Sequence, residues 1–134
     1  MPTRSESYIT KIEKHAGFDE TVEAVISAFQ AEGFGVLCRI DVSQTMRAKI
    51  GIDMPSYLIL GMCNPELAHR ALKAEPDVGV LLPCNVAVYQ QGDVVNVTAQ
   101  DPGAMVLVTA NVDLGDVAAE ASARIERAMR TLKG

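Results

Sequence analysis

From Leu114 to Leu132 the chain places Leu114, Val117, Ala118, Ala121, Ile125, Ala128, Met129 and Leu132 on one apolar stripe. Spacings of three and four put these positions along one side of a long helix. Asp113 is its expected cap, and Arg124, Arg127, Arg130 and Lys133 lie toward the end where the helix dipole favours cations. The segments before it read as strands. Phe34, Val36, Cys38, Ile40 and Val42 alternate with Gly35, Leu37, Arg39 and Asp41, the period of a half-buried strand. That alternation places Cys38 in the core row, where a free cysteine packs as a small hydrophobe. Tyr57 to Cys63 is apolar on both parities, as expected of a central strand covered on both sides.

The remaining elements follow from local signals. Residues 5–14 read as a first strand with Tyr8, Thr10 and Ile12 on one face, and 18–32 as a helix stopped by Gly33. Ser43 is the expected cap of a short helix through Ile50, with Met46 and Ile50 sharing a face and Gly51 as the left-handed stop. Asn64 and Pro65 supply an N-cap and first helical position, and Leu67, Ala68, Ala71 and Leu72 make a buried stripe to about Ala74. Val80 to Leu82 and Asn85 to Gln90 read as strand on either side of Pro83, which cannot donate to a ladder and implies a bulge, bend or edge. Gln91-Gly92-Asp93 turns the chain into Val94 to Ala99. Residues 101–109 carry competing signals, a cap and proline at Asp101-Pro102 and a strand-like run at Met105 to Thr109. No repeat or linker divides the chain, so residues 1–134 form one domain.

Charge and cysteine usage exclude several functions. The net charge of −5 opposes nucleic-acid binding, which draws its affinity from Lys and Arg on phosphates. Arg39, Arg47 and Lys49 are the only central basic residues near one another, and they read as a solvated face. Val78 to Val88 is interrupted by Pro83 and Ala104 to Ala110 is too short for a membrane span. The N-terminal residues have no apolar signal core, so the expected location is the cytoplasm, with reduced thiols. Cys38, Cys63 and Cys84 form no C-x-x-C pair, which leaves out a zinc ribbon and a thioredoxin motif.

Two ordered blocks then carry a resemblance. The first runs Gly33-Phe34-Gly35-Val36 through Asp41-Val42, Lys49-Ile50-Gly51-Ile52-Asp53 and Tyr57-x-Ile59-Leu60-Gly61-x-Cys63-Asn64-Pro65-x-x-Ala68. The second runs Ala71-Leu72, Pro76, Gly79-x-Leu81-Leu82-Pro83-Cys84-Asn85-Val86-x-Val88-Tyr89 and Asp101-Pro102. Together they resemble the bacterial Domain of Unknown Function 302 family over nearly the whole chain. The resemblance implies an α+β fold of the TATA-binding-protein-like type: a curved antiparallel sheet with helices packed on it, in strand-helix-four-strand-helix order. The helix at about 65–74 is then an insertion, and a homodimer is implied. Met62 departs from the pattern, standing where small residues are usual.

Cys63-Asn64-Pro65 and Pro83-Cys84-Asn85 nearly mirror each other, and each ends or bends a strand. Cys63 precedes a helix N-terminus, whose partial positive charge lowers a thiol pKa. His69 falls opposite the apolar stripe of its helix, beside Glu66, Arg70 and Lys73, and His15 has no partner near it in sequence. With no Ser-His-Asp or paired-carboxylate pattern, hydrolytic chemistry lacks its parts, and neither a catalytic residue nor a cofactor is identified. The first expectation is a non-catalytic homodimeric module that binds a small molecule or a soft metal ion, with Cys63, Asn64, Cys84, Asn85 and Lys49 as contacts and Cys63 and Cys84 as metal ligands. The other is a thiol-dependent redox enzyme, with Cys63 attacking and Cys84 resolving. The plainer reading of these segments is that both cysteines are small apolar fillers where strands come close, with the asparagines and prolines serving caps and turns.

Overall fold

The computed structural model describes residues 8–133. Residues 5–7 of the expected first strand lie outside this range. The elements are β1 (Ile9–Lys14), α1 (Phe18–Gln30), β2 (Gly35–Asp41), α2 (Val42–Ile50), β3 (Tyr57–Cys63), α3 (Pro65–Ala74), β4 (Cys84–Gln91), β5 (Val94–Gln100), α4 (Gly103–Thr109) and α5 (Gly115–Lys133). Short 3₁₀ turns occupy Pro76–Leu81 and Val112–Leu114. The five strands form one antiparallel sheet in the order β1-β5-β4-β3-β2. This is the expected α+β fold, with α2, α3 and α4 inserted into the strand-helix-four-strand-helix order.

Residues directly opposite each other in antiparallel strands share a face. On one face Ile12, Leu60, Met62, Val86, Val88, Val95, Val97 and Ala99 pack against Val22, Val25 and Phe29 of α1 and Ile125, Ala128 and Met129 of α5. The stripe read from Leu114 to Leu132 is buried, so its 3.6-residue period reports a real contact. The other face is open. There Tyr57 stacks on Tyr89 at 5.1 Å between ring centroids, and the Lys11 ammonium stands 5.9 Å from the Tyr89 ring.

Cys38 is not in the core. Val36 opposes Met62 and Cys38 opposes Gly61, leaving Leu37 as an extra residue without a partner on β3. A bulge of one residue exchanges the two faces of everything beyond it. Cys38 and Ile40 therefore turn to the open face beside Gly61 and Ile59, and Cys38 is exposed. Arg39 takes the inner parity, where its guanidinium reaches Glu23 of α1.

Four further local expectations are corrected. The segment Pro76–Leu81 is a 3₁₀ turn that buries Val78, so Val80 to Leu82 is no strand, and β4 begins only after Pro83. Asp41 caps α2 in place of Ser43, because its carboxylate accepts from both the Gln44 N–H at 2.9 Å and the Ser43 hydroxyl at 2.8 Å. These same bonds hold the Asp41 carboxyl below its ordinary range. The face that Met46 and Ile50 were expected to share is not buried, since no residue of α2 is. Asn111 caps the second 3₁₀ turn and α5 starts at Gly115, so Asp113 lies ahead of the long helix.

The ambiguity at 101–109 resolves to helix. The Asp101 carboxylate accepts from the Gly103 N–H at 3.0 Å and the Ser122 hydroxyl at 2.8 Å, which ties the start of α4 to α5. A second apolar cluster forms there, from Leu67 and Ala71 of α3, Val78, Met105 of α4, Leu114, and Val117, Ala118 and Ala121 of α5.

Candidate functional site

The two apolar clusters do not close on each other. Between them, where β3 ends and β4 begins, lies a cavity of about 350 Å³. Phe34 and Met62 wall it from the main core, and Leu67, Met105 and Val117 from the second. Cys63, Asn64 and Cys84 complete the wall on the sheet side, and Leu37 and Leu72 line it while remaining exposed.

The bulge explains how Leu37 comes to be here. As the unpaired residue it belongs to neither row of β2, and it lines the cavity although alternation had placed it on a polar face. Nothing in the one-dimensional pattern marks it, because Val36-Leu37-Cys38 alternates equally well without a bulge. Met62, noted only as a departure from the family pattern, is fully buried in the cavity wall.

Asn64 does cap α3, its side-chain oxygen accepting from the Leu67 N–H at 3.2 Å. Its amide nitrogen donates to the Glu32 carbonyl at 3.5 Å, and the Arg124 guanidinium donates to the same carbonyl at 3.1 Å. Gly33 adopts φ +88°, and a Cβ there would stand 2.8 Å from the Asn64 amide nitrogen. The helix-stop glycine thus leaves room for the cap of another helix, and both ends of the Asn64 amide are engaged inside the protein.

Cys63 is shifted in the direction opposite to the one expected from the helix end. Burial pushes Cys63 up, through loss of water around the sulfur. Cys84 is pushed up to about 11, by burial first and then by the nearby Cys63. Cys84 opposes Met62 in the register, and alternation along β3 turns Cys63 to the other face from Met62. Both reach the cavity because it opens at the end of the sheet.

The other candidates stand apart. Asn85 lies on the open face of the sheet, its N–H donating to the Gln100 side chain at 3.1 Å, and does not line the cavity. Lys49 is on the exposed helix α2, also outside the cavity wall. His69 and His15 are exposed. Among the described residues no three His, Cys, Asp or Glu side chains cluster as a metal ion would need. No helix among them is long and apolar enough to cross a membrane.

The family model for domain of unknown function DUF302 matches residues 9–132. The structure is similar to the crystal structure of an uncharacterized conserved DUF302 protein from Bacillus stearothermophilus, at a TM-score of 0.84 and 29% sequence identity. The similarity covers 91% of this chain and 95% of that one. No curated protein matches the chain.

Proposed function

The chain belongs to the DUF302 family of domains of unknown function, and we propose that this member is a non-catalytic, homodimeric module that binds a small molecule in the cavity beside Cys63 and Cys84. The observation that carries the reading is the cavity itself. Side chains from β3, α3, β4, α4 and α5 surround a space in the size range of small-molecule sites, at a seam that a core built only for stability would fill.

The raised thiols weigh against the redox reading, because the thiolate is the attacking species and burial disfavours it at both positions. They weigh equally against a soft metal held by Cys63 and Cys84, which would have to lose their protons to bind it.

Homodimerisation is supported from outside the cavity. Helix α2 has nine residues and buries none of them, and a helix that short does not hold itself together in water. Ile40, Ile50 and Ile52 are exposed along the same stretch of chain. A second copy related by a two-fold axis covers such a surface with the same surface.

Native mass spectrometry of untagged protein, purified from its own cytoplasm, tests both parts of the proposal. The expected species is a dimer that carries a small molecule, lost when Ala68 on the cavity wall is replaced by Phe. A ligand-free monomer that also fails to gain thermal stability from any compound of a metabolite library would overturn the reading.

A further inference from the structure

We infer that the cavity takes an uncharged aliphatic ligand, admitted between Leu37 and Leu72. The inference rests on the binding reading above and adds the class of ligand and its door.

No Lys, Arg, His, Asp or Glu side chain lines the cavity. A carboxylate, phosphate or ammonium placed inside would meet no counter-charge, and an unpaired buried charge is strongly disfavoured. The polar groups that do line it leave little for a hydrogen-bonding ligand. Both ends of the Asn64 amide are already engaged, by Leu67 and Glu32. The two thiols stay protonated and are weak donors. What remains is carbon and sulfur, with Met62 and Met105 among the wall residues, and methionine adapts its shape to an irregular apolar occupant.

The same surface locates the door. Half of the wall residues are buried, whereas Leu37 is 66% exposed and Leu72 39% exposed, so these two side chains, with the exposed Gly79 beside Leu72, stand where the cavity meets solvent. Leu37 comes from the bulge of β2 and Leu72 from α3. An apolar rim of this kind lets an alkyl chain enter without passing a polar collar.

One alkyl chain with three heads tests the inference: 1-octanol, octanoate and octylammonium, each small enough to lie wholly inside. Binding is read by calorimetry and, at neutral pH where octanoate and octylammonium keep their charges, by protection of Cys63 from slow alkylation over long exposure. Octanol is expected to bind saturably, protect Cys63 and raise the melting temperature, with the two charged analogues weaker by about tenfold or more. Leu37→Trp should weaken octanol binding by about tenfold, whereas Leu37→Ala should leave it within a few-fold. Should Leu37→Trp fail to fold, Leu72→Trp narrows the same opening from the other side. If octanoate or octylammonium binds as tightly as octanol and protects Cys63 equally, the uncharged class is overturned while the binding module stands. If octanol binds and neither Trp variant affects its affinity or its rate of entry, the door is misplaced. If none of the three protects Cys63 and native mass spectrometry finds no bound molecule, the inference and the binding reading fall together.

Discussion

Gly61 lies directly across the sheet from Cys38, so close that a Cβ on Gly61 would stand 2.7 Å from the Cys38 sulfur. The Pro83 ring closes the same space at 2.9 Å. Gly61→Ala should therefore destabilise the fold by about 1–3 kcal/mol, the usual range for overpacking. The exposed Cys38 should be nearly neutral to Ala, within about 0.5 kcal/mol. In the double variant the sulfur's share of the clash is gone and part of the loss should return. Urea denaturation of the four proteins checks this, and a neutral Gly61→Ala would show that the bulged register is wrong.

Thiol labelling should separate the three cysteines. Exposed Cys38 is expected to react first, whereas Cys63 and Cys84 should need a higher pH than an ordinary thiol to react, Cys84 the highest. Site-resolved alkylation against pH, read by mass spectrometry, measures the order. Rapid labelling of Cys63 at neutral pH would restore the thiolate chemistry that burial argues against.

The same shift makes stability depend on pH. The Cys84 thiol goes from 9.0 to about 11 on folding, so the unfolded chain gives up its proton first as the pH rises. The contribution is intact below pH 9.0 and is lost through about 11, on the order of 3 kcal/mol in all. Comparing wild type with Cys84→Ala in urea at several alkaline pH values isolates it. Parallel losses in the two proteins would contradict the assignment.

Asn64→Ala removes the cap of α3 and the bond to Glu32 together, and should cost about 1–2 kcal/mol. Gly33→Ala should be destabilising for a linked reason, since its φ of +88° disfavours a side chain and the added Cβ meets the Asn64 amide. Because the two sites touch, their costs should fall short of adding. A double-mutant cycle by thermal or urea unfolding measures the coupling, and strict additivity would mean that the contact carries none.

Light scattering after gel filtration should return twice the mass of the chain. Ile40→Lys, on the open face of β2, should shift it toward the monomer without unfolding it. A wild-type monomer at micromolar concentration would remove the dimer, and an unaltered dimer in the variant would move the interface elsewhere.

Periodicity and caps are properties of neighbouring residues, and they carried the local structure. The stripe from Val117 to Leu132 is a helix face, Asn64 caps the helix that follows it, and Gly33 and Gly51 stop helices in left-handed conformations. A bulge is different in kind. Whether Leu37 pairs or is skipped depends on how β2 meets β3, a choice set by Gly61, Pro83 and the core on the other side, and one residue of slip exchanges the faces of Cys38, Arg39 and Ile40. The run Val80 to Leu82 likewise has the composition of a strand, yet Val80 and Leu81 belong to a 3₁₀ segment that buries Val78 against the second cluster. The site divides along the same line. Cys63, Asn64 and Cys84 were legible as strand ends and a cap, but the cavity that joins them to Leu37, Leu72, Met62 and Met105 is the gap left between two cores, and only the packing of α3, α4 and α5 against the sheet creates it.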